Sequence, residues 1–248
     1  MKYSGLLYAI GIVLASLVIA VSVRAAMDLA ADPLTDGMPI TWKQASFGII
    51  VSPNDAELEK GKSLFAMKKL DDGSIVAQTM ALIDATPEAC IRVTTDYNHY
   101  TSIMPYTVES RIIRGFRLTG EYAGAPAVDF WTRVSVFGFQ TRYLIRVVNL
   151  ADAKNHVYRS FWTLVRNPAS VSACKDSYGR PCENDLDINI GAGKFEPYKG
   201  SPNRTLSTRT LRIKPRSWLQ HFGFCAGCGN SMQDITKAIR IAVKKNHY

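Results

Sequence analysis

The chain has 248 residues and a formal net charge of +9, with 47% hydrophobic and 10% aromatic residues. This apolar content is ample for a packed core, which excludes a chain that stays unfolded and leaves one large domain or two small ones. The basic surplus favours an anionic partner; because the basic residues are scattered and form no RNA-binding or zinc-finger pattern, nucleic acid is set aside in favour of an anionic membrane surface or a simply solvated basic face.

Residues 1–25 open with Lys2 and run apolar from Gly5 to Val23, followed by Val23-Arg24-Ala25. Small residues at the right offsets read as a signal-peptide cleavage site. The run is also close to the about 20 residues of a spanning helix, so an uncleaved anchor stays open. Either way Lys2 stays on the cytoplasmic side and the rest is exported, to the periplasm or the extracellular side. Residues 26–52, with "ADPLTDGMP", read as a linker or arm. The domain proper is expected over 53–248.

"SPNDAELEKG" predicts a short helix with Ser52 as N-cap and Pro53 first, ending at Gly61. "KSLFAMKKL", Asp71-Asp72-Gly73 and "SIVAQTMALID" read as a hairpin. Thr86 caps the next helix, Pro87 takes its first position and Glu88 suits its positive end. It runs to about Thr95. Asp96 then caps "YNHYTSIM", which stops at Pro105. "YTVESRIIRG" follows as a strand with Thr107, Glu109 and Arg111 on one face and Val108 and Ile112 on the other.

"PAVDFWTRVSVF", "FQTRYLIRVVN" and "HVYRSFWTLV" alternate with short connections, so they must pair antiparallel. The stretch at about 166–186 breaks the pattern and reads as a surface insertion. "INIGAGKFEPY" and "RTLSTRTLRIKP" resume the sheet. The tail "NSMQDITKAIRIAVKK" has Met232, Ile235, Ile239 and Val243 at helical spacing, with Asn230 or Ser231 as its cap. The expected class is α+β: a curved antiparallel sheet around a long C-terminal helix, with two short helices after the first strands. One helix seldom fills a curved sheet, so a cavity is the expected by-product.

Five cysteines are present. In an oxidising compartment Cys174 with Cys182, and Cys225 with Cys228, read as two local disulfides, leaving Cys90 a buried thiol on a helix. A redox role for "CAGC" would need a thioredoxin-like setting, which is not seen. A zinc site would need both pairs to converge, and only one is CxxC. No metal or cofactor is expected.

The element order and "DATPEACIRVTTDYNHYTSIMPYTVESRII" resemble the START-like superfamily, the helix-grip fold of lipid-transfer, polyketide-cyclase/aromatase-like and coenzyme-Q-binding domains. Thr86-Pro87-Glu88, Thr95-Asp96-Tyr97 and Met104-Pro105 sit at the family's helix-start, Thr-Asp-aromatic and apolar-Pro positions. "GKFEPYKGSPNRTLSTRTLRIKPRSWL" resembles the run before its long helix. The resemblance covers about residues 55–246. Cys90-Ile91 departs from the usual Val-Trp; the 174–182 insertion and "CAGC" are additional, and are expected to reshape one mouth of the cavity.

The resemblance implies a cavity between sheet and long helix, and alternation supports an apolar one. Val128, Phe130, Thr132 and Val134 share a face, as do Tyr143, Ile145 and Val147, with Arg142 and Arg146 expected in water. Phe161 and Trp162 fall on opposite faces, and periodicity does not choose between them. The candidate ligand-binding set is Met104, Phe130, Val134, Tyr143, Ile145 and Phe161 from the sheet side, with Trp218, Phe222, Met232, Ile235 and Ile239 from the helix. Any of these can instead simply fill a core.

No catalytic residue is assigned. His99 beside Asp96 could act as a general base, although a surface histidine beside its cap is commoner. His221 lies near the expected mouth. No GxSxG, HExxH, Walker or dinucleotide pattern occurs. The preferred reading is an exported non-catalytic carrier of a hydrophobic molecule: a lipid, a sterol-like compound or a quinone. A cyclase- or hydrolase-like enzyme on the same fold is the alternative, and an anchored interaction module with a filled core is a third. No oligomeric state follows from the sequence.

Overall fold

The computed structural model describes residues 51–118, 122–136, 138–166, 171 and 174–245, with the side chains of 218–230 not described. The N-terminal leader and the Cys225–Cys228 pairing therefore lie outside the described residues, as do the Trp218, Phe222 and His221 side chains. Among the described residues, no helix is long and apolar enough to cross a membrane.

The strands are β1 (Leu64–Lys69), β2 (Ile75–Ile83), β3 (Thr107–Arg117), β4 (Pro126–Val136), β5 (Phe139–Asp152), β6 (Val157–Leu164), β7 (Leu186–Tyr198) and β8 (Ser201–Pro215). They form one 8-stranded sheet in the order β1-β2-β8-β7-β6-β5-β4-β3. Every neighbouring pair is antiparallel. The helices are α1 (Asp55–Glu59), α2 (Pro87–Thr95), α3 (Tyr100–Ile103) and α4 (Trp218–Lys245), with a 3-10 turn at Tyr97–His99 before α3.

Local signals explain these elements. In the β1–β2 turn Gly73 takes φ +79°, a conformation that suits glycine, and Asp72 Oδ1 accepts from Ser74 N and Oγ. Thr86 caps α2 by accepting from Ala89 N at 3.1 Å, with Pro87 at the first turn.

Three local expectations are corrected. The cap of α1 is Asn54, not Ser52: its side chain accepts from Glu57 N at 3.2 Å, two residues further on. Asp96 makes no capping bond, because its carboxylate meets His99 Nδ1 at 2.7 Å. The final helix begins at Trp218, so Asn230 and Ser231 lie inside it and "CAGC" is helical rather than a preceding loop. Gly223, Gly227 and Gly229 do not prevent this, because glycine costs only about 1 kcal/mol relative to alanine in a helix.

The helix α4 touches β1, β2 and β8 on one flank and β4 and β5 on the other. Since β7 and β6 lie between these flanks in the sheet, the sheet must bend around the helix. Near its C-terminal end, Ile239, Ala242 and Val243 pack with Ile83, Cys90, Val93 and Phe195, which joins α2 to the sheet.

The outer face of the sheet is also covered. Val51 and Leu58 pack on Met80 and Leu82, so every residue of β2 is buried. Cys174 and Cys182 form a disulfide that packs on Trp131, Leu144 and Val165. Trp131 and Leu144 alternate with the inward Phe130 and Ile145, so this insertion docks on the outer face and not at the cavity mouth. Asn184 and Asp185 fasten it there by accepting from Leu144 N and Arg142 N. Nearby, Leu118, Ala127 and Val148 form another outer cluster with Phe116 and Tyr122. Under that layer Arg146 is 0% exposed and bonds to Asp129. The expectation that Arg146 faces water is thus corrected.

Candidate ligand cavity

A cavity of ≈ 210 Å³ lies between the inner face of the sheet, the α2–α3 region and α4. Of the candidate set, Met104, Phe130, Val134, Tyr143, Ile145, Met232 and Ile235 line it. Two candidates do not. Phe161 packs on the outer face with Ala192, close to Leu150, and Ile239 is sealed in the α2–α4 core.

The backbone decides between Phe161 and Trp162. Trp162 pairs with Gly191 across β6 and β7. A Cβ at Gly191 would stand 2.2 Å from Trp162 Cζ2 and 2.5 Å from the Thr210 carbonyl oxygen. The indole therefore lies on bare backbone, on the cavity side. Its Nε1–H donates to Asn189 Oδ1 at 3.1 Å.

The wall near α2 is aromatic. Tyr97 packs tilted and Tyr100 edge-on against Phe130, at centroid distances of 5.0 and 5.3 Å. The Tyr97 hydroxyl accepts from Asn149 Nδ2 at 3.1 Å, and Asn149 Oδ1 accepts from Ser160 Oγ at 2.6 Å. The Tyr100 hydroxyl donates to the Thr94 carbonyl. Burial pushes Tyr97 and Tyr143 up to about 12 and raises Tyr100 as well.

Among the described residues one charged side chain lies with them. Arg209 lines the cavity from β8, and its guanidinium stands 5.6 Å from the centroid of the Trp162 ring. Burial lowers its pKa, although an arginine starts so high that it stays cationic. Among the described residues no Asp or Glu lines the cavity. Sequence reading missed Arg209. The available signal was alternation: Arg209, Leu211 and Ile213 share a face of β8, and all three line the cavity.

His99 is largely exposed, its partner Asp96 is part-buried, and neither lines the cavity. Burial pushes the Cys90 thiol up to about 12, which makes it a poor nucleophile.

No protein-family model and no curated protein matches the chain. Solved structures do. Human StAR-related lipid transfer protein 5 is similar at TM-score 0.58 and 13% identity, over 94% of this chain and 98% of its own. Human STARD10 aligns at TM-score 0.58 and 12% identity, over 81% of this chain and 84% of its own. A STAR-related lipid transfer protein fragment from Xanthomonas axonopodis aligns at TM-score 0.53 and 12% identity, over 74% of this chain and 94% of its own. Likeness at such low identity shows the fold alone: a curved antiparallel sheet around a C-terminal helix, shared with these lipid-transfer structures.

Proposed function

We propose that the domain over 53–248 is a non-catalytic carrier that shields a hydrophobic small molecule, such as a lipid, a sterol-like compound or a quinone, from water. The observation that carries this reading is the cavity itself, a largely apolar hollow where the sheet meets α4. Each methylene placed there contributes roughly 0.8 kcal/mol, so an apolar body binds without special chemistry. The residues proposed to contact the ligand are the lining candidates named above, with Trp162 in place of Phe161.

The buried phenols that line the cavity are not poised as bases near neutral pH. Catalytic acids and bases are tuned toward neutrality. Here burial drives Tyr97 and Tyr143 away from it. The named neighbours of like architecture are lipid-transfer proteins, in keeping with the reading.

Residues 1–25 are proposed to export the domain, either as a cleaved signal or as an anchor, with 26–52 as an arm. The Cys174–Cys182 bridge suits an oxidising compartment. The basic surplus would hold the carrier near anionic lipid headgroups.

The test is to extract purified protein with organic solvent and identify what is released by mass spectrometry, alongside titration with a fluorescent hydrophobic probe. A stoichiometric apolar compound, or saturable probe binding displaced by it, is expected. The absence of both an extracted compound and saturable probe binding would end the carrier reading.

A further inference from the structure

Arg209 is out of keeping with its surroundings. It sits on the cavity side of β8, paired in register with Thr79 on β2 and Gly193 on β7. No hydrogen bond or ion pair joins its guanidinium to any described residue. Its contact is the Trp162 ring at 5.6 Å, and Tyr97, Tyr100 and Tyr143 are near enough to feel its charge. The Tyr143 hydroxyl likewise has no hydrogen-bond partner among the described residues. A shielded cation without an anion destabilises a fold, and an apolar residue of the same size would serve the core better.

The setting is built around this group. Gly191 lets Trp162 lie flat, and the ring stabilises the guanidinium without neutralising it. No described residue accepts from the five guanidinium N–H donors, which leaves them for something that enters the cavity. A planar carboxylate matches that fork with two parallel hydrogen bonds.

Building on the carrier reading, we propose that the ligand is an amphiphilic acid, an apolar body ending in a single carboxylate, and that Arg209 binds that carboxylate inside the cavity, with the Tyr143 hydroxyl as a further donor. One cation among the described lining residues and the small volume favour one compact charged group. A phosphate-bearing lipid has related chemistry and is separated from a carboxylate by the experiment.

The experiment uses the purified chain, stripped of bound lipid, and three probes: a fluorescent polyene fatty acid, its alcohol of the same chain length, and a lysophosphatidic acid as competitor. Wild type should prefer the acid over the alcohol by about tenfold or more. Arg209→Met and Arg209→Gln should erase that preference, so that acid and alcohol bind alike, and Arg209→Lys should restore part of it. Without ligand, R209M should melt no lower than wild type, since it removes an unpaired charge.

Equal binding of acid and alcohol by wild type would overturn the Arg209 assignment while leaving the carrier reading standing. A retained acid preference in R209M, or a marked loss of stability in it, would do the same. Lysophosphatidic acid displacing the probe more tightly than the fatty acid would overturn the carboxylate in favour of a phosphate. Binding of neither fluorescent probe would overturn both readings together.

Discussion

Asp129 and Arg146 face each other across β4 and β5, with Arg146 Nε donating to Asp129 Oδ1 at 2.8 Å and the side chains 1% and 0% exposed. Arg114 from β3 joins the same carboxylate, and Phe116 lies over both guanidinium groups. Removing one partner leaves a buried charge uncompensated, which costs about 3–5 kcal/mol. Asp129→Ala should therefore lower unfolding free energy by that amount. Arg114 is 48% exposed, so Arg114→Ala should lose no more than about 1 kcal/mol. The double variant D129L/R146M should be more stable than D129A alone. Urea titration reads all three, and a D129A loss no larger than that of R114A would remove the pair from the account of stability.

That pair also marks where sequence reading stops. The inner faces of β4 and β5 were legible, because alternation sets Phe130 and Val134, and Tyr143 and Ile145, on one side whatever else the chain does. Thr86-Pro87 fixed the start of α2 by local chemistry alone. Arg146 was misplaced because alternation separates two faces without saying which of them is wet. The cover over its face comes from distant residues, Phe116 and Leu118. Trp162 was undecidable for a similar reason. Its side of β6 suits an indole because a glycine lies opposite on β7, and that register is a tertiary fact.

Gly191 is the next position to test. A methyl group there meets both the indole and the Thr210 carbonyl, and backbone cannot easily withdraw. Gly191→Ala should cost about 1–3 kcal/mol as overpacking. It should also push Trp162 into the cavity and weaken probe binding. Gly193→Ala is the control, since its Cβ would come only to 4.0 Å from Arg209 Cγ. Equal stability of the two variants would contradict the close packing of Trp162 on β7.

The disulfide makes a separable prediction. Cys174 and Cys182 close a short loop, with a sequence separation of 8. Replacing both by serine should remove about 2–3 kcal/mol. Because the insertion packs on the outer face, against Trp131 and Leu144, affinity for the hydrophobic probe should not change. A large loss of binding in a variant that stays folded would return the insertion to the cavity mouth.

Asp72 gives a pH signature in the first hairpin. Hydrogen bonds from the Ser74 side chain and backbone, with Arg212 nearby, hold its carboxyl well below the ordinary value of 3.8. A depressed carboxylate contributes stability above its unfolded pKa and loses it as pH falls through the folded one. The stability gap between wild type and Asp72→Ala should therefore narrow as pH drops from about 5 toward 2. Melting curves across that range would show it, and a gap independent of pH would rule the linkage out.

The sharpest test of the hollow is to fill it. Val134 is half-buried and lines the cavity from β4, beside Thr132 and Val136. In a solid core, Val134→Phe would overpack and cost about 1–3 kcal/mol. In a cavity of ≈ 210 Å³ the ring instead finds empty space. It buries additional apolar area there, which stabilises by roughly 25 cal/mol per Å² removed from water. V134F should thus melt at or above the wild-type temperature while losing about tenfold or more in probe affinity, because ring and ligand compete for one volume. Stability and binding moving in opposite directions is the signature of an occupied void. A variant that loses stability and keeps its affinity would mean that the space at Val134 is already filled and that the probe binds elsewhere.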